Sequence, residues 1–167
     1  MKTMSFATMF MVFCYTTTLS AMEVHNHHEE ENGIRTETDS TSDDYLFLGH
    51  ALHFSGQAQD LVFLGKELTF SGQTQLGLVA ACEKLIYSGR TGNGLMAACM
   101  DIAIDGQLSG TNYVACRSFR VSEKAQIAGN LFLASAKASF DGPIHGDLYV
   151  AAGEITINET VHGNVTA

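Results

Sequence analysis

From Tyr45 to Gly163 the sequence repeats itself about every 17 residues, and a chain with that period has to stack its copies. The segments read YLFLGHALHFSGQAQD, LVFLGKELTFSGQTQL, GLVAACEKLIYSGRTGN, GLMAACMDIAIDGQLSG, TNYVACRSFRVSEKAQIAG, NLFLASAKASFDGPIHG and DLYVAAGEITINETVHG, with NVTA opening another. Phe54, Phe70, Tyr87, Ile104, Val121, Phe140 and Ile157 fall at one equivalent position. Leu52, Leu68, Leu85, Ile102, Phe119, Ala138 and Ile155 fall two residues earlier. Apolar residues alternate in short runs, as in Leu148 and Val150 or Ile155 and Ile157, and Gly or small residues stand at the joints. This pattern predicts three short strands per turn of chain. One such turn buries too few side chains to offset the entropy of ordering itself, so each turn must pair with the turns above and below. The expectation is an all-β fold, a parallel β-helix (β-solenoid). It should have about 17 residues per rung and about seven rungs over 43–167, and stand about 34 Å tall at about 4.8 Å per rung. Pectin-cleaving helices use longer, irregular rungs, and hexapeptide-repeat acyltransferases need about eighteen residues per coil, so neither fits. Two extra residues around Glu123 to Gln126 predict a bulged corner that leaves the stack intact.

The remainder of the chain has a different character. Lys2, an apolar stretch from Met4 to Tyr15 and a hydroxyl-rich run to Ser20-Ala21 have the layout of a secretory signal peptide, 1–21, with cleavage after Ala21. Phe13 before Cys14 is too bulky for a lipidation signal. Residues 22–42 carry six acidic residues, one basic residue and few large apolar ones, which predicts a disordered leader. His25, His27 and His28 beside Glu29, Glu30 and Glu31 have metal-ligand chemistry, but without preformed geometry a solvated tail is the favoured reading. The net charge of −9 argues against nucleic acid or anionic lipid as a partner, and a membrane enters only through an uncleaved signal.

Two segments carry a resemblance. GNLFLASAKASFDGPIHGD, from Gly129 to Asp147, and GDLYVAAGEITINETVHGN, from Gly146 to Asn164, resemble the repeat unit of the bactofilin family, the polymer-forming cytoskeletal proteins of bacteria. The similarity spans about Asp43 to Ala167 and is strongest from Asn130 onward. It implies a right-handed, triangular parallel β-helix that joins end to end into nonpolar filaments without nucleotide. Typical bactofilins lack a cleaved signal, and the first two segments here carry Leu48-Gly49-His50 and Leu64-Gly65-Lys66 where the unit has Ala-Ala-Gly. Exported, envelope-associated relatives are therefore the closer match.

Side chains with reactive chemistry read mainly as structure. Cys82, Cys99 and Cys116 are spaced by 17 and should stack in a corner ladder of small residues that also holds Gly49, Gly65, Ser135 and Ala152. Packing is the favoured role; one disulfide or metal binding are the alternatives. His145 and His162 lie one rung apart and read as a solvated ladder. Asp141, Asp147, Glu154 and Glu159 could be paired for glycoside hydrolysis only across a cleft, which a convex rod does not suggest. The outward column His53, Thr69, Ile86, Ala103, Arg120, Ser139, Thr156 is too mixed for ice binding. No motif of an enzyme stands out, and no cofactor, metal or catalytic residue is expected.

A β-solenoid ends in open strand edges. Asn164 to Ala167 match only the start of a rung, so the C-terminal end is expected to be uncapped. The expected function is a non-enzymatic scaffold at the bacterial cell envelope or periplasm. Its copies would join through Leu148, Val150, Ile155, Ile157, Val161 and Val165 at one end and through Tyr45, Phe47, Leu52 and Phe54 at the other. Its partners would be further copies, with envelope proteins or peptidoglycan as secondary candidates. The alternative is a monomeric exported binding or adhesin module for a cell-wall or protein partner.

Overall fold

The computed structural model describes residues 22–25 and 33–167; the expected signal segment, with His27, His28 and Glu29 to Glu31, lies outside them. Parallel strands stack as a β-solenoid of about eight turns, with equivalent positions about 17 residues apart. The register follows the repeat. Phe54 pairs with Phe70, Phe70 with Tyr87, Tyr87 with Ile104, Ile104 with Val121, Val121 with Phe140 and Phe140 with Ile157. The Leu52-to-Ile155 column pairs in the same way.

Each turn has three faces. The first holds Asp44–Leu48, Leu61–Leu64 and the opening halves of Gly77–Tyr87, Gly94–Ile104, Thr111–Val121, Asn130–Phe140 and Leu148–Ile157. The second holds Ala51–Phe54, Glu67–Phe70 and the closing halves of those long strands. The two belong to one sheet, folded at the small-residue corner. The third face is a separate sheet of two-residue strands, Gln57–Ala58, Gln73–Thr74, Arg90–Thr91, Gln107–Leu108 and Gln126–Ile127, extended by bridges from Ile127 to Ile144 and from Ile144 to Val161.

Alternation turns every second residue into the shared core. Stacking like on like then builds columns: Phe54 and Phe70 lie with ring centroids 5.8 Å apart, and Phe70 and Tyr87 5.2 Å apart. The buried Tyr87 hydroxyl donates to the Gln107 carbonyl at 2.9 Å, which satisfies the one polar atom in that aromatic run. Between the second and third faces the chain turns through Gly72, Gly89 and Gly106. A Cβ at any of them would run into the carbonyl oxygen of the glycine one tier earlier, so these three positions admit only glycine. The two extra residues of the fifth segment form the expected bulge. Val121 pairs with Ile104, whereas Ile127 pairs with Leu108 two residues out of step, and the excess is absorbed in a turn closed by Ala125 N–H on the Ser122 carbonyl at 3.0 Å.

The leader departs from expectation. Met22–His25 pairs parallel to residues 44–47, Ile34–Glu37 pairs with 51–54, and Ser40 bridges Gln57. These residues supply most of a further tier, so the stack has about eight turns instead of seven. Composition misjudges this stretch because an existing strand edge supplies the hydrogen bonds that an isolated polar segment lacks. Among the described residues no helix is long and apolar enough to cross a membrane.

Candidate functional site

The two ends of the solenoid differ in chemistry. At the C-terminal end Val165–Thr166 pairs with Leu148 and Tyr149, which leaves the outer edge of residues 150–157 without a partner strand among the described residues. Of the six apolar residues expected there, Leu148 and Val150 are buried, Ile155 and Val161 are half-buried, and Ile157 and Val165 are 38% and 50% exposed. The end therefore combines unpaired main-chain groups with an aliphatic rim.

At the other end the expected joint is wrong. Tyr45, Phe47, Leu52 and Phe54 are at most 4% exposed, because the tier built from 22–25 and 34–37 covers them. Arg35 sits in register above Leu52 and Glu37 above Phe54. Arg35 Nη2 donates to Glu37 Oε2 at 2.8 Å, and the Tyr45 hydroxyl donates to the same oxygen at 3.1 Å. Burial alone would raise the Glu37 carboxyl, but bonds from Arg35, the Asp39 N–H and Tyr45 hold it below the usual carboxylate range. Among the described residues this polar tier is the outermost at this end.

Along the corner Cys82, Cys99, Cys116, Ser135 and Ala152 pair in succession, and Gly65 stacks closely on Gly49. The three thiols are free. Cys82 Sγ and Cys99 Sγ lie 3.0 Å apart, within hydrogen-bond distance of each other. The His145 and His162 rings stack at 4.9 Å. The four carboxylates weighed for hydrolysis are engaged separately. Asp141 accepts from Asn158 at 2.6 Å, Asp147 from the Asn164 N–H at 2.8 Å, Glu154 pairs with Lys137 at 2.9 Å and Glu159 accepts from the Thr160 N–H at 3.3 Å. Among the described residues no three His, Cys, Asp or Glu converge to hold a metal.

Sequence reasoning missed two surfaces. One is a polar trough of about 540 Å³ along the third face, where Ser55, Ser71, Ser88 and Asp105 flank the stacked Gln57, Gln73, Arg90 and Gln107. Its signal was the recurring Ser-Gly-Gln triplet. The other is the outer surface of the first face, where Leu48, Leu64, Tyr113 and Tyr149 are 37 to 48% exposed.

Buried acids predict an alkaline limit to the fold. Burial pushes the Cys116 thiol from 9.0 to about 12, and the Tyr45 and Tyr87 hydroxyls from 10.0 to about 12. Each group binds its proton more tightly folded than unfolded, so its contribution is complete below its unfolded value and falls as pH climbs toward the folded one. The melting temperature should hold from pH 7 to about 9 and drop steadily between about 9 and 12. A melting temperature constant to pH 12 would contradict these burials.

No family profile, no curated protein and no solved structure matches the chain.

Proposed function

We propose that this protein is a non-enzymatic, exported scaffold that joins end to end into polymers at the bacterial cell envelope. The observation that carries the reading is the edge of residues 150–157, which has no partner strand among the described residues, beside exposed Ile157 and Val165. Such an edge recruits another strand, and the aliphatic rim adds apolar burial to the main-chain bonds. Identical ends meeting about a two-fold axis place the two edges antiparallel, a favourable pairing, and give a joint without polarity. The repeat's resemblance to bactofilins supports this reading, and the signal-like N-terminal segment supports export. The opposite end offers edges under Arg35 and Glu37, so it forms the weaker joint. Assembly then proceeds by steps, with dimers through the C-terminal tiers forming first and longer chains at higher concentration. Size-exclusion chromatography with light scattering over a concentration series tests this. The expected result is a dimer at low concentration and growing polymers above it, whereas a monomer at every concentration would refute it.

The polar trough favours a second reading, a monomeric exported module that holds a cell-wall glycan or a protein segment along the third face. A constant monomer that binds purified peptidoglycan would establish that reading instead.

A further inference from the structure

Strands of the first and second faces differ in their patterning. On the second face polar and apolar residues alternate, as in Glu67, Leu68, Thr69, Phe70, and the outward positions carry ion pairs such as Lys84 with Glu67 at 2.8 Å and Arg117 with Asp101 at 2.9 Å. On the first face the runs LVFL, LVAA, LMAA, LFLA and LYVA are apolar at both parities. A continuously apolar strand is the signature of a sheet covered on both sides. Among the described residues only the inner side is covered.

The outer residues of the first face form two adjacent columns. One is bulky: Val62, Val79, Met96, Tyr113, Phe132 and Tyr149 stand in register, the last three with rings stacked at 5.1 and 4.6 Å. The other, two residues along each strand, is small from the third tier on: Ala81, Ala98, Ala115, Ala134 and Ala151. Neither column holds an ionisable acid or base other than the two tyrosines. A ridge therefore runs beside a groove over five tiers, from Val79 and Ala81 to Tyr149 and Ala151, and below them Leu64 and Leu48 fill the groove position.

We propose that this face is the contact between two copies of the chain lying side by side with their solenoid axes parallel. A two-fold axis within the contact, running along the solenoid, places the ridge of each copy over the alanine groove of the other, tier against the same tier. A two-fold axis along the strands would set ridge on ridge. Self-complementarity thus selects both the occupant and its direction. Five tiers about 24 Å tall, on strands about 13 Å wide, cover about 310 Å² of each copy. About 620 Å² in total is small, the size of a weak and reversible contact. This lateral contact is separate from the end joint and does not depend on it.

The test uses the purified full chain with Ile157→Arg in every sample, so that the C-terminal end does not contribute. Sedimentation velocity between about 1 and 100 μM should show a concentration-dependent monomer–dimer shift. Ala115→Tyr fills the groove opposite the partner's Tyr113 and should weaken dimerisation at least tenfold. Combining it with Tyr113→Ala exchanges ridge and groove in one tier, which remains self-complementary, and should restore the dimer. Circular dichroism checks that each variant is folded; if Ala115→Tyr is not, Ala115→Lys at the same exposed site replaces it in the single-variant arm. A monomer throughout would overturn the proposal, as would association strengthened by Ala115→Tyr, the mark of unspecific stickiness. Unaltered chain, with Ile157 in place, that forms this dimer but no end-to-end polymers counts against the scaffold reading and not against the lateral contact.

Discussion

Replacing Phe70 with alanine should cost the fold about 3–5 kcal/mol, the usual range for emptying a buried aromatic site. Phe70 is wholly buried, with Phe54 stacked at 5.8 Å on one side and Tyr87 at 5.2 Å on the other. The gap cannot close readily, because main-chain pairing on both sides fixes the tier spacing. Thr69, one residue away, points outward, so Thr69→Ala should change stability by less than about 0.5–1 kcal/mol. Denaturant unfolding of the two variants checks the contrast. If Phe70→Ala costs no more than Thr69→Ala, the aromatic column does not hold the stack together.

The second large effect concerns assembly. Ile157→Arg places a charge on the aliphatic rim at the end, where burial against a second copy would strip it of water. End-to-end dimers should be weakened at least a hundredfold while the monomer stays folded with a modestly lower melting temperature, since Ile157 tops the column over Phe140 but is 38% exposed in the single chain. Light scattering on matched samples reads the loss. Polymers equal in length to those of the unaltered protein would mean that the joint lies elsewhere. Val150→Arg is a poorer probe: Val150 is only 5% exposed, so the substitution would unfold the last tiers and confuse stability with assembly.

The periodicity was highly legible because a parallel ladder converts sequence spacing directly into position. Once Phe54 and Phe70 are paired, every residue between them has its level and its face. The bulge after Ser122 was legible for the same reason: extra residues in a stack have nowhere to go except a corner. The tier built from 22–25 and 34–37 was not, since its order comes from the neighbouring edge and not from its own composition. That error moved the N-terminal end of the molecule and turned Tyr45, Phe47, Leu52 and Phe54 from a proposed joint into core. At the C-terminal end the reading identified the rim but not its depth, because Val165 folds over Leu148. Attention to inward alternation also hid the outer side of the first face, where residues such as Tyr113 and Ala115 mattered through their relation to each other across a strand.

The claim that copies join through their C-terminal tiers is tested most directly by cryo-electron microscopy of the assembled protein. The account predicts paired solenoids meeting about a two-fold axis, with the edge of residues 150–157 in one copy running antiparallel to that of the next and strand spacing of about 4.8 Å continuing across the joint. Particles that remain single, or that meet with the Ile157 end exposed to solvent, would contradict it.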